Sequence, residues 1–234
     1  VRARARLSID GAGRIDRMVE DPPVAWRPTA AGVHLVGTAG GLTGDDDVGL
    51  EVDVAPGGCL VLRSGAATVV YAGTGTMQRV ALRAGAGARV DWCPEPVVVT
   101  GGAMHTQVAS VSVTSTTVLD WTEIVVLGRY DETPGSADLR LDCVVDDGSG
   151  GPPEPLLRHH LRVGPGATGW SGPAVLGAQR AVGVRLRTGP DLPAPDALHG
   201  DGWVWMRLDG PGWLLSAVAA DLPTLRARMA DAAA

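Results

Sequence analysis

The sequence predicts a mainly β protein made of stacked strands, on three grounds. Turn signals recur about every ten residues along most of the chain, which is the rhythm of an all-β fold. Residues 90–129 are dense in Val, Ile, Trp and Thr, the residues that suit a pleated surface. Within that stretch Val108-Ala109-Ser110-Val111-Ser112-Val113-Thr114-Ser115 alternates apolar and polar side chains, so one row faces a core and the other faces water. The same stretch repeats a short phrase. Val90-Asp91-Trp92 runs through Glu95 into Val97-Val98-Val99, and Leu119-Asp120-Trp121 runs through Glu123 into Ile124-Val125-Val126. Each copy alone reads as a strand end with a half-buried indole and a solvated acid. The repetition points to a stacked acidic-aromatic edge.

Composition limits the chemistry. A chain of 234 residues, 45% of them hydrophobic, supports one domain over 1–234 with a real core. Phe is absent, so Trp, Val, Leu and Ile must fill that core. A net charge of −6 gives no basic footprint for nucleic acid. All 20 basic residues are Arg. Without Lys the chain cannot carry a P-loop, a Schiff-base lysine or a Ser-x-x-Lys nucleophile, so it is not itself a nucleotide hydrolase of the P-loop type. Cys59, Cys93 and Cys143 are far apart, which suits buried thiols in a reducing cytoplasm and not a closed zinc site. No apolar run is long enough to span a membrane, and the arginines near the start precede no signal-like apolar stretch. A soluble cytoplasmic protein is expected.

The elements follow in order. Residues 4–9 alternate as a strand and turn at Asp10-Gly11-Ala12-Gly13. The prolines of residues 22–28 hold an extended segment, and Val33-His34-Leu35-Val36 makes another strand. In Gly40-Gly41-Leu42-Thr43-Gly44-Asp45-Asp46-Asp47 the glycines allow close backbone approach and the aspartates concentrate charge. That pattern lacks the Asp spacing and distal Glu of an EF-hand; it fits a solvated turn or a weak carboxylate site for a hard cation. Strands are expected at 50–54, 59–63, 64–71 and 78–82, then in the central stretch, then at 139–145. No exact repeat period persists, which argues against a propeller or a regular solenoid. The run Asp147-Gly148-Ser149-Gly150-Gly151 has the wrong order for a serine-protease nucleophile, and no His–Asp pair completes a triad, so it reads as a turn. His159 and His160 sit side by side on a strand and must face opposite ways. Residues 176–181 suggest a short helix. Residues 203–208 and 212–218 read as a hairpin. The last helix begins at Asp221, with Pro223 in its first turn and Leu222, Leu225 and Met229 on one face.

The ordered set of these motifs resembles the UreD (UreH) family of urease accessory proteins. The matching elements are Gly40-Gly41-Leu42-Thr43-Gly44-Asp45, the strand Ser64-Gly65-Ala66-Ala67-Thr68-Val69-Val70-Tyr71, the stretch Val90-Asp91-Trp92-Cys93-Pro94-Glu95, and Glu123 through Leu127-Gly128-Arg129. Gly65 and Val69 stand where the family usually has Gln and Lys, and Glu132-Thr133-Pro134-Gly135 is looser than the family's Gly-Glu. The resemblance implies a β scaffold stacked in a helical manner with about two helices, one at the C-terminus. It also implies a non-enzymatic role: docking on the urease apoprotein, gathering the accessory proteins UreF and UreG (the GTPase), and passing Ni2+ to the urease active site along an internal route. No cofactor is held tightly under this reading, only transient nickel. Strong sites would combine several Cys or His, so scattered carboxylates suit a conduit. Asp45, Glu95 and Glu123 are the acids expected to carry the ion, and Arg129 is expected to anchor an acid by a bidentate pair. The rivals are a β-helical hydrolase with paired acids such as Asp45 and Asp47 acting on saccharide, and a structural partner protein with no metal route.

Overall fold

The computed structural model describes residues 1–148 and 150–233; Ser149, the serine of the Gly-rich turn, lies outside the described residues. Among the described residues, eighteen strands form two facing sheets and one helix packs outside them. In chain order the first strands are β1 (Arg2–Ile9), β2 (Ile15–Val19), β3 (Val24–Thr29), β4 (Gly32–Gly37), β5 (Asp47–Val54), β6 (Cys59–Ser64) and β7 (Thr68–Val70). The middle strands are β8 (Thr76–Ala84), β9 (Arg89–Trp92), β10 (Val97–Val99), β11 (Met104–Val113), β12 (Val118–Leu127) and β13 (Ser136–Val145). The remainder are β14 (Glu154–Val163), β15 (Ala181–Thr188), β16 (His199–Gly200), β17 (Trp203–Arg207), β18 (Gly212–Ala219) and the helix α1 (Leu222–Asp231). One sheet has the order β14-β13-β11-β8-β5-β1-β2; the other runs β16-β17-β18-β15-β12-β9-β6-β4-β3, with β10 and β7 attached through β12.

The chain alternates between the sheets, so β5, β8, β11 and β13 stack in parallel on one side and β6, β9 and β12 on the other. Asp47 lies beside Met77, Met77 beside Thr106 and Thr106 beside Asp138, so each coil takes 29 to 32 residues. The middle of the chain is therefore solenoid-like, contrary to the expectation drawn from the missing exact period. Coils that differ by a residue or two in their corners keep the strands in register while erasing the period from the sequence. Three strands to a coil account for the turn spacing of about ten residues.

The repeated Asp-Trp phrase is this stacking seen in the sequence. Val90, Asp91 and Trp92 of β9 pair with Leu119, Asp120 and Trp121 of β12. The two indoles stack with centroids 4.5 Å apart and planes 6° from parallel. They are 2% and 0% exposed, so the half-buried reading is corrected: both point between the sheets. Such a pair adds about 0.5–1.5 kcal/mol beyond the area it buries. The aspartates face outward and are paired, not free. Asp91 takes a bidentate contact from Arg63 at 2.9 and 2.5 Å, and Asp120 one from Arg185 at 2.7 and 2.6 Å.

A second apolar layer lies outside the second sheet. Asp221 caps α1 by accepting the Thr224 amide at 2.8 Å. Leu225 and Met229 pack with Ile124, Ala181, Trp203 and Leu215. Helix α1 is the one helix among the described residues, where two were expected. Residues 164–178 form consecutive turns and bends, because Gly164, Gly166, Gly169 and Gly177 take positive φ and Pro165 and Pro173 interrupt any helical ladder. Ala181, the last residue of the expected helix, opens β15.

Candidate functional site

A file of polar side chains runs through the largely apolar interior between the sheets. Strand parity makes it. The alternation that turns Ala109, Val111 and Val113 inward on β11 also turns His105 and Gln107 inward. On β8 it turns Gln78 toward the same space, and Gln78 and Gln107 are register partners. From the opposite sheet Glu123 of β12 points in, two residues beyond the buried Trp121.

Three cavities follow the file. The largest, about 290 Å³, opens beside Gly40, Gly41 and Ala66 and is walled by Leu35, Leu50 and Gln78. Gly41 permits it to form: its φ is +137°, and a Cβ there would stand 2.3 Å from the Val69 carbonyl oxygen. A second cavity, about 30 Å³, shares Ser64, Thr68 and Gln78 with the first and reaches Glu95, Gln107 and Glu123. A third, about 10 Å³, lies on the other side of Glu123 and is lined by Leu139, His159 and Val184 among others. Glu123 therefore stands between two cavities, and the polar atoms leading to it are hydroxyls and amides.

Burial dominates the electrostatics. Glu123 is 9% exposed, and loss of solvation pushes its pKa up to about 7; Gln107 and Trp121 pull the other way without closing a hydrogen bond of normal geometry. His105 is 2% exposed, and burial pushes it down to about 4, so it is neutral at physiological pH. Its Nδ1 lies 2.8 Å from Thr76 Oγ1. His159 is lowered first by burial and then by the neighbouring His160. The two adjacent histidines diverge as strand geometry requires. His160 is outside, 2.9 Å from Asp138, while His159 faces the third cavity.

The three acids singled out from the sequence do not converge on one point. Glu95 and Glu123 line the second cavity together. Glu95 sits at its outer rim, exposed, and bonds Arg226 of α1 at 2.5 Å. Asp45 is exposed in the turn before β5 and is not among the residues lining the three cavities. The inward aspartate of that triplet is Asp46, which accepts the Thr43 amide at 2.9 Å, while Asp47 pairs with Arg4 and Arg79. Arg129 does form a bidentate pair, at 3.1 and 3.0 Å, but with Glu132 and with none of those three acids. That contact, with the Arg129 amide at 2.9 Å, holds Glu132 down at about 2 and closes a turn in which Asp131 has a φ of 59°. Gln78, Gln107 and His105 belong to no motif; parity within their strands is the one signal that places them inside. Cys59 is exposed and Cys143 buried on separate strands, and no group of three or more His, Cys, Asp or Glu among the described residues is arranged to hold a metal ion. Nor is any helix among them long and apolar enough to cross a membrane.

Comparison with known proteins adds to this geometry. The family model described as UreD urease accessory protein matches residues 4–234. The urease accessory protein UreD of Parafrankia sp. (strain EAN1pec) is 38% identical over 257 aligned residues, covering 98% of this chain and 86% of that one. Its counterpart in Frankia casuarinae is 36% identical, covering 98% and 88%. Urease accessory protein UreD 3 of Streptomyces griseus is 35% identical, covering 99% and 95%.

Proposed function

The chain belongs to the UreD family of urease accessory proteins, maturation factors and not catalysts, and we propose that it is a single-domain cytoplasmic scaffold through which nickel reaches apo-urease. In this reading it docks on the urease apoprotein, gathers UreF and the GTPase UreG, and passes Ni2+ through the space between its sheets. The observation that supports the route is the position of Glu123, a buried acid with a cavity on either side and a file of neutral oxygen donors leading to it.

The chemistry suits a cargo that must leave again. Ser64 and Thr68 hydroxyls and the Gln78 and Gln107 amides can replace water around a divalent ion without holding it firmly. One carboxylate, Glu123, supplies the charge that makes entry into a low-dielectric space tolerable. Glu95 at the rim is the first acid an entering ion meets, and Arg226 must release it. Docking has its own surface. Tyr71, Met104 and Tyr130 are exposed at one corner of the stacked coils, Tyr130 to 98%. Tyr and Met are residue types enriched at protein interfaces.

Glu123→Ala and Asp45→Ala separate the alternatives. Urease activation, pull-down of the urease complex and melting temperature are measured for both. Glu123→Ala should lower activation several-fold with assembly intact, while Asp45→Ala, exposed and away from the cavities, should change little. Full activation by Glu123→Ala would remove the interior route and leave a structural partner protein.

A further inference from the structure

The two sheets differ in width, and the difference leaves an apolar ledge. Strand β14 ends the first sheet, and its His159 and Leu161 face Val182 and Val184 of β15 in the second. Beyond β15 the second sheet continues through β18 and β17, with the two-residue β16 outside them. Among the described residues the first sheet has no strand opposite these.

Strand parity decides what the overhang presents. Trp203 and Trp205 of β17 pack with α1 on the outer side, where Trp205 Nε1 donates to the Ala232 carbonyl at 2.8 Å. Val204 and Met206 therefore turn to the other side. Met206 pairs with Leu214 and Val204 with Ser216, and Leu214 belongs to the core between the sheets. Val204 and Met206 are directed as core residues are, yet they are 38% and 40% exposed. Leu198, whose carbonyl accepts the Trp205 amide, is also exposed.

The ledge borders an open sheet edge. Strand β14 pairs with β13 on one side, and among the described residues its other side makes no backbone hydrogen bond. Ten residues long, that edge is a template for one more strand. Such a strand would lie over β18 and β17, and its inward side chains would cover Val204 and Met206. Its outward side chains would stand beside Arg158, His160 and Arg162 of β14. That outer face is short of acid. On β13 and β14 two aspartates, Asp138 and Asp142, face Arg140, Arg158, His160 and Arg162, and Asp138 serves three of the four.

We infer that the open edge of β14 takes up an extended segment of a partner protein, in which apolar side chains alternate with acidic ones, as an added strand. Main-chain hydrogen bonds hold the segment. The ledge selects apolar side chains at alternate positions, and the basic column selects Asp or Glu at the others. The inference stands with or without an ion route between the sheets.

Two peptides as long as β14 test it on the purified full chain, one alternating valine and glutamate, the other valine and lysine. The glutamate peptide should bind about tenfold tighter, because each opposite-charge pair across strands adds to affinity. It should also slow hydrogen exchange of the β14 amides. Arg158→Glu should abolish the preference and Met206→Glu should weaken the glutamate peptide; both positions are exposed, so neither change disturbs the core. Failure of both peptides to bind, or equal binding of the two, overturns the acidic partner. Binding that leaves the β14 amides exchanging as before overturns strand addition. A dimer of the chain in sedimentation that shuts out both peptides would give the edge to a second copy and overturn the proposal.

Discussion

Glu123 carries its carboxyl into a space where a bare charge is costly, and the consequence is a pH dependence of known sign. Its pKa is about 7 in the fold against 4.5 for the free group. The folded state therefore binds the proton more tightly than the unfolded state. Below pH 4.5 the acid is protonated in both states and its favourable contribution is complete; as pH rises through about 7 that contribution is lost, up to about 3 kcal/mol. Melting temperature should fall between pH 5 and pH 8 in the native chain, and Glu123→Gln should flatten this part of the curve. An identical slope in the variant would show that Glu123 is not buried as described. At this scale the sequence is half legible. The acid of the Asp-Trp phrase is visible as a residue, but that Glu123 turns inward while Glu95 reaches Arg226 follows from where the sheets and helix lie. Arg129 shows the same limit. Its chemistry predicts a bidentate pair, but several acids qualify, and the turn brings it Glu132, three residues on.

Strands were legible where one face meets water and illegible where both are covered. On β11 the alternation is plain because its outer residues are exposed or half-buried. On β15 the first four residues, Ala181, Val182, Gly183 and Val184, are all buried, since α1 covers the outer face. Burial on both sides removes the period-two signal, so no strand is legible there, and the helix expected over residues 176–181 overlaps its first residue. The C-terminal helix was readable because its cap and apolar face are local. The corner loops carry strict backbone demands. Gly41→Ala puts a Cβ against the Val69 carbonyl oxygen in a conformation that L side chains avoid, and should cost about 1–3 kcal/mol. Chemical denaturation checks it, and because Gly41 walls the 290 Å³ cavity, urease activation should fall with stability. A variant as stable as the native chain would show that the loop relaxes freely.

The whole molecule is a stack, and a stack exposes its corners and the outer faces of its sheets. The outward face of the first sheet is laced with ion pairs, among them Arg6–Glu51, Arg79–Asp47 and Arg140–Asp138. Apolar exposure remains at Tyr71, Met104 and Tyr130, the surface proposed for docking. The chain expressed alone should be poorly soluble and co-expression with UreF should rescue it, with Tyr130→Ser improving solubility alone while weakening that rescue. A monomer that stays soluble and ignores UreF at micromolar concentration would count against the docking reading.

The sequence by itself determined the β class, the strand rhythm, the capped final helix, the family and the exclusion of P-loop chemistry. Each of these depends on residue type or on spacing within one segment, which is local information. Only the tertiary structure decided that the Asp-Trp copies stack, that Asp45 stands apart from Glu95 and Glu123, and that Gln78, Gln107, His105 and Glu123 share one interior. Gln78 comes from one coil, and His105, Gln107 and Glu123 come from two facing strands of the next. What brings them together is the parallel register of coils 29 to 32 residues long, set by burial of the apolar faces along the whole stack rather than by any motif in the chain.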